Sequence, residues 1–417
     1  MPELFEATSE RLVYKFYSDP AIDPMTEPAA GTDPAATSGQ ILRHVSHNLS
    51  LTKEAYAGDE IRTDKQRPME KHGTRRAPGT INGLLSPLTY ADLLEAAVGG
   101  TWSATAVTAD YTDFTSVAAD NATSKFTMTA GNPVTAGLRV GDIVRFSDLS
   151  EAENNARNFV ILAFGGTSNR ELTVFPAPTD MTADSAFSMT TVGRSLIMPS
   201  SAHVKRKIAV EVYNSDGDIS RLFTEGRIAG FDLSIAPNQE AQINFTGLWR
   251  NRIVYDGSDA PFFTAPTAAT GTDIISSMDG LLCMDGEIVG IVTGLSINFN
   301  RAPTAPAQIH SDGLTPGILL GNAVVTGEFT VFLQDRTFLD FFEEGTEFSM
   351  ISYLPISDDA ASDAVVVYLP RIKINSNNET TQEGAKAIQC GFTAARYLGS
   401  AGGVESTSIR IVDTTVS

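Results

Sequence analysis

Apolar and polar residues alternate along much of this chain, and the dominant period is two. Leu295, Ile297 and Phe299 are separated by Ser296 and Asn298, so Ile288 to Phe299 predicts a strand with one packed face and one wet face. Val45, His47, Leu49 and Leu51 give the same period from Ile41 to Leu51. Further strands are expected at Gly79 to Leu85, Gly327 to Leu333, Asn158 to Phe164 and Glu171 to Phe175. Gly137 to Phe146 reads as a turn followed by an alternating strand. A helical period replaces this alternation in two short stretches. Leu93, Leu94 and Ala97 are expected to face a core in one, and Phe338, Phe341 and Phe342 in the other. Gly99-Gly100 and Gly345 stand where the two helices stop. Thr89-x-x-Asp92 and Thr337-x-x-Asp340 fit a capping box at the two helix starts.

The two helices are not independent. Between Ile61 and Glu95, 9 of 35 positions are identical to those 248 residues later: Ile61/Ile309, Asp64/Asp312, Pro68/Pro316, Gly73/Gly321, Gly79/Gly327, Leu85/Leu333, Thr89/Thr337, Asp92/Asp340 and Glu95/Glu343. Unmatched positions keep their character, as in Ile81/Phe329, Tyr90/Phe338 and Leu93/Phe341. A similarity of this length reads as a duplicated domain, each copy running strand, long loop, strand, helix. The loops are Gly58 to Pro78 and Pro306 to Thr326. Gln242, Phe245 and Thr246 match Gln389, Phe392 and Thr393 at an offset of only 147, so the first copy carries about a hundred extra residues. The expected organisation is an extended Pro-containing arm over 1–40, a discontinuous first repeat over 41–102 and 202–265, and an inserted small β-barrel or sandwich over 103–201. A second repeat over 266–398 and a tail over 399–417 complete it. The fold class is mainly β: two tandem β-sandwich or barrel domains, each with a short helix, plus the inserted β domain.

The chain has 417 residues and a formal net charge of −20. Gripping phosphates needs clustered Lys and Arg, so the charge argues against nucleic-acid binding, though a repelling wall would let a polyanion slide past. The two cysteines, Cys283 and Cys390, fall in expected strands and read as buried free thiols. No secretory signal and no apolar run of membrane-spanning length is seen, so a soluble protein made in a cytoplasm is expected. His44-x-x-His47 on a strand would point its rings to opposite faces, which does not suit a metal. Asn214, Asp216, Asp218 and Glu225 have the spacing of a calcium loop, but Ile219 stands where glycine is needed, so a hairpin turn is the stronger reading. No nucleophile elbow, phosphate loop or dinucleotide fingerprint occurs; no catalytic residue, cofactor or metal is expected. One asymmetry remains. The first loop holds Arg62, Lys65, Arg67, Lys71, Arg75 and Arg76, whereas His310 to Val324 is nearly uncharged. Either a solvated hairpin or a basic arm docking on an acidic neighbour fits.

The runs Gly58-Asp59-Glu60-Ile61-Arg62-Thr63-Asp64-Lys65-Gln66-Arg67, Gly79-Thr80-Ile81-Asn82-Gly83-Leu84-Leu85 and Tyr90-Ala91-Asp92-Leu93-Leu94-Glu95-Ala96-Ala97-Val98-Gly99-Gly100-Thr101-Trp102 resemble the major tail tube proteins of long-tailed (siphovirus-type) bacteriophages. Val325 to Val331 and Tyr368 to Lys373 fit the same family, and the insert is similar to an accessory domain of some members. The resemblance implies β-sandwiches whose inner sheets join into a barrel, rings stacked into a tube, and genomic DNA passing through the lumen without specific binding. It implies assembly around a tape-measure protein, with tail tip or baseplate and tail terminator as further partners, in the host cytoplasm and then the virion tail. It places the basic loop against the next ring. With two copies per chain, three chains would form a pseudo-sixfold ring. The repeat core and helix-cap residues are then Thr89, Asp92, Leu93, Leu94, Thr337, Asp340, Phe341 and Phe342. The alternatives are a baseplate or tail-completion ring protein of the same fold, and a secreted β-rich binding module.

Overall fold

Each long strand in this protein serves two neighbours at once, and that organises the fold. The computed structural model describes residues 6, 9–23, 31–57, 63–66, 69–290, 292–309, 313–382, 384–399 and 401–416. The architecture is mainly β, in antiparallel sheets, with four short α-helices among the described residues. The 17-residue strand Ile219–Ile235 pairs through its first part with Ile208–Asn214 and Asn251–Asp256. Its later part pairs with Gln242–Trp249 and Val292–Asn300. The 19-residue strand Ala364–Gln382 likewise pairs first with Glu347–Pro355 and Arg410–Asp413, then with Ala385–Ala394.

The ladders of the two halves agree residue by residue. Bulges interrupt the first at Ile228/Gly230 and the second at Ile374/Ser376, 146 positions on. A second pair of bulges falls at Ile208/Val210 and Phe348/Met350. His47 pairs Ile81, and 248 residues later Leu295 pairs Phe329. A bulge changes local twist and re-aims the chain, so matching bulges mean matching sheet shapes.

Within the segment expected to be an arm, the described residues include a strand. Glu10–Phe16 is a strand paired along Ile208–Asn214, with Leu12, Val13 and Tyr14 buried. Within the expected tail, Arg410–Asp413 is buried between Arg194–Ile197 and Ala364–Gln382. Both strands add to the sheet and bring apolar residues into its cores, Leu12, Val13 and Tyr14 from one and Ile411 and Val412 from the other. The run Ile41 to Leu51 is not one strand. Only Gln40–Ile41 and Ser46–His47 are strand, and Val45 is 65% exposed. Val45, Asn48 and Ser50 still donate to the Asn82, Thr80 and Pro78 carbonyls, but Pro78 returns no N–H and the ladder lapses. In the expected loop Gly58 to Pro78, strand begins at Lys71 and runs to Leu84, paired outward with Thr52–Tyr56.

Both helices sit where the period placed them, Ala91–Val98 and Thr337–Glu344, with left-handed glycines Gly99 and Gly345 at their ends. Neither uses a capping box. Thr89 Oγ1 instead meets Ser86 and Thr270, each at 2.6 Å, and Asp92 accepts from Tyr14 Oη at 2.9 Å. In the second helix Asp335 accepts from the Thr337 N–H at 2.9 Å, and Asp340 pairs with Arg336 at 2.6 Å. At the first helix a tertiary partner outcompetes the local cap because the buried Tyr14 hydroxyl has no other acceptor at hand, whereas at the second helix the exposed sequence neighbours Asp335 and Arg336 take Thr337 and Asp340. Leu93, Leu94 and Ala97 are buried, and Phe338 and Phe341 pack half-buried against the main core, but Phe342 is 42% exposed.

Between Thr108 and Thr191 lies a separate eight-stranded sheet with its own core, where Phe126 contacts Phe146 at 4.4 Å and Phe159 at 5.0 Å between ring centroids. It docks on the second half. Ile143, Val160 and Leu162 pack with Ile351, Tyr353 and Val366, and Arg410 donates to Asp142 at 2.5 Å with both side chains buried.

Asp413 closes the C-terminal strand at 2% exposure, accepting from the Leu88 N–H at 2.8 Å. Burial pushes its carboxyl above the ordinary value, against opposing hydrogen bonds from Thr415 and Leu88. The native state therefore binds this proton more tightly than the unfolded chain does. The resulting stability is full below the unfolded carboxylate pKa and is lost as pH rises through the raised value. Asp413→Asn keeps an acceptor for Leu88 and flattens that slope in urea unfolding measured across a pH series; an unchanged slope would show that Asp413 does not set it.

Candidate assembly surface

The sites that suggested chemistry resolve into structure. The rings of His44 and His47 are not on opposite faces: their centroids lie 6.0 Å apart because the intervening segment is not strand, and His47 contacts Glu10 at 2.6 Å. Asn214 to Asp218 is a hairpin turn in which Asn214 Oδ1 accepts from the Asp216 and Gly217 N–H groups. Glu225 is far from that turn's oxygens, buried between Lys207 at 3.1 Å and Arg250 at 2.6 Å. Among the described residues no cluster of three or more His, Cys, Asp or Glu has metal-binding geometry. Cys283 and Cys390 are free and buried, and burial pushes their thiols up to about 12 and about 11, so neither is a thiolate at neutral pH.

What the fold does present is edges. Within the chain, the halves meet edge to edge: Phe231 pairs Phe299, Leu233 pairs Ile297 and Ile235 pairs Leu295. Phe231 and Phe299 stack at 5.4 Å, and Asn298 donates to Asp232 across the same ladder. The counterparts of these two edges are Asn377–Thr381 in the second half and His47–Leu51 in the first. Among the described residues no ladder runs along the outer side of either. The Nδ2 of Asn377 is buried without a hydrogen-bond partner. An unpaired strand edge is a template for another strand.

Lys71, Arg75 and Arg76 lie on a hairpin that projects from the same sheet. Thr52–Tyr56 is exposed throughout and pairs with Lys71 to Arg76, so Lys71, Arg75 and Arg76 share one strand. Arg76 pairs with Glu54 at 3.1 Å, and the Arg75 N–H donates to the Gly313 carbonyl at 2.7 Å. Lys65 is exposed near the tip, while Arg62 and Arg67 lie outside the described residues. Tyr56 and Met69 are 60% and 90% exposed, so the hairpin carries apolar surface beside its charge. The sequence pattern showed the charge; the strand pairing that stiffens it came only from the fold.

A family model described as phage tail tube protein matches residues 21–394, nearly the whole chain. No curated protein matches it. The mainly β architecture, the unpaired sheet edges and this match agree, and the chain belongs to the phage tail tube protein family.

Proposed function

We propose that this protein is a tube subunit whose two halves occupy successive positions in one ring. The ladder from Phe231–Ile235 to Leu295–Phe299 carries the reading, because it joins two like halves through a pairing that the outer edges can repeat. Asn377–Thr381 of one chain then pairs with His47–Leu51 of the next, Asn378 opposite Ser50 as Asp232 is opposite Asn298. Such a heterologous contact closes when the rotation returns to its start, and three chains of two halves give a pseudo-sixfold ring. The matched bulges support a tandem duplication as its origin.

Stacked rings form a channel for genomic DNA, and the charge of −20 favours a wall that repels the polyanion rather than holding it. The basic hairpin reaches the neighbouring ring, where the exposed carboxylates Glu343 and Glu344 in the last turn of the helix Thr337–Glu344 offer a complementary surface. The inserted domain sits outside the tube. Tape-measure protein, tail tip or baseplate, and terminator complete the tail.

Electron microscopy of the concentrated protein tests both contacts. Tubes with six small lobes per ring are expected. Lys71→Glu with Arg76→Glu should leave rings that no longer stack. Wild-type rings that never stack would favour a single-ring baseplate or completion role, and a protein that stays monomeric even with a tail-tip initiator would refute the proposal.

A further inference from the structure

The two halves differ at one place where their ladders agree. Leu85 donates to the Ala241 carbonyl at 2.7 Å, and Leu333 donates to the Lys386 carbonyl at 2.9 Å. The first of these rungs is covered. Ile275, in the segment connecting the halves, donates to the Leu85 carbonyl at 2.9 Å, and its own carbonyl accepts from the Ala241 N–H at 3.0 Å. Ile275 is 0% exposed and Leu85 2%. The same segment holds the Thr89 hydroxyl through Thr270 and receives the Arg43 guanidinium on the Thr270 and Thr272 carbonyls. Among the described residues no segment covers the second rung in this way. Leu333 is 36% exposed, and Phe338 and Phe341, counterparts of the buried Tyr90 and Leu93, are only half-buried. With Ile288 they line a groove of about 380 Å³.

The covering segment leads directly into strand Leu281–Met284. That strand pairs Leu282 with Ser352 and Met284 with Met350, and its first-half counterpart pairs Leu12 with Val212 and Tyr14 with Val210. Each also pairs onward, Cys283 with Ile288 and Val13 with Ile41. The shift between the two strands is 270 positions. Carried back by that shift, Asp273-Ile274-Ile275 falls on Glu3-Leu4-Phe5, again an acid followed by two large apolar residues.

We infer that Leu4-Phe5 of one chain seats in the groove of a second copy formed by Leu333, Phe338 and Phe341, as Ile274-Ile275 seats against Leu85 within one chain. The inference rests on the proposed ring. The strand after Phe5 is anchored in its own first half, and in the ring that half follows the second half of the preceding chain. Each arm then bolts the edge-to-edge contact that its own half makes, so the apolar floor of Leu333, Phe338 and Phe341, rimmed by Asp285, Glu287 and Asp335, is covered by the next chain.

The test is disulfide trapping in the full-length protein. One variant carries Phe5→Cys with Leu333→Cys; a reference variant carries Asn378→Cys with Ser50→Cys across the proposed ladder. Under oxidation both are expected to link separate chains on a non-reducing gel. Phe5→Glu should raise the concentration needed for half-assembly by roughly tenfold, as for one large apolar side chain kept from its pocket, with the monomer's circular dichroism unchanged. If the reference pair links chains and the Phe5–Leu333 pair does not, or closes only within one chain, the arm exchange is wrong and the ring stands. If neither links chains, the ring is wrong and the arm inference goes with it.

Discussion

Glu225→Ala will lower the unfolding free energy by about 3–5 kcal/mol, because it strands two buried cations. Glu225, Lys207 and Arg250 are 0%, 2% and 0% exposed, and the carboxylate lies 3.1 Å from the lysine and 2.6 Å from the arginine. Lys207 also donates to the Ala21 carbonyl at 2.6 Å and lies 4.4 Å from the Tyr17 ring, while the Tyr17 hydroxyl accepts from the Glu225 N–H. Arg250 Nε donates to the Thr315 carbonyl at 2.7 Å. One carboxylate thus ties the N-terminal segment, the first half and the second half's loop together. Removing it leaves both cations desolvated with their principal counter-charge gone. Glu225 also holds a left-handed φ of 49°, so Glu225→Gly should cost less than Glu225→Ala by separating backbone strain from charge. Guanidinium unfolding measures both, and a loss below about 1 kcal/mol for alanine would place the triad's charges in contact with water after all.

Gly83→Val is expected to destabilise by about 2–4 kcal/mol, combining overpacking with a lost hydrogen bond. A Cβ at Gly83 would stand 1.8 Å from the Tyr90 hydroxyl and 2.6 Å from its Cζ. Tyr90 is buried at the start of the first helix, and that hydroxyl donates to the Arg43 carbonyl at 2.9 Å. The counterparts 248 residues later are Val331 and Phe338, a side chain where glycine stood and a ring without the hydroxyl. Tyr90→Phe should therefore restore part of the stability lost in Gly83→Val. A double-mutant cycle from thermal melts reads the coupling; additive effects would mean that the two positions drifted independently.

Much of the architecture was legible because burial writes itself as a period. Leu295, Ile297 and Phe299 alternate with polar neighbours and are buried as the pattern requires, and Gly99 and Gly345 end the helices through a conformation that glycine reaches freely. Long-range choices were not legible. Thr89 and Asp92 have the right spacing for a cap, yet Thr270 and Tyr14, distant in sequence, take their side chains. Phe342 continues an apolar stripe but meets solvent in the single chain. For the candidate surface, the basic cluster was visible as composition, whereas the unpaired edges were not, since an edge is defined by the strand that is missing beside it.

The sequence by itself determined the β class, both helices and the similarity at 248 residues, because these follow from local periodicity, backbone preference and residue identity. Only the tertiary structure decided that Glu10–Phe16 and Arg410–Asp413 are buried strands and that the halves join through Phe231–Ile235. Strand partners are chosen by backbone groups that every residue carries, and by surfaces brought together from positions far apart. A local pattern records that a strand has a face to bury, and the folded chain alone selects what lies beside it.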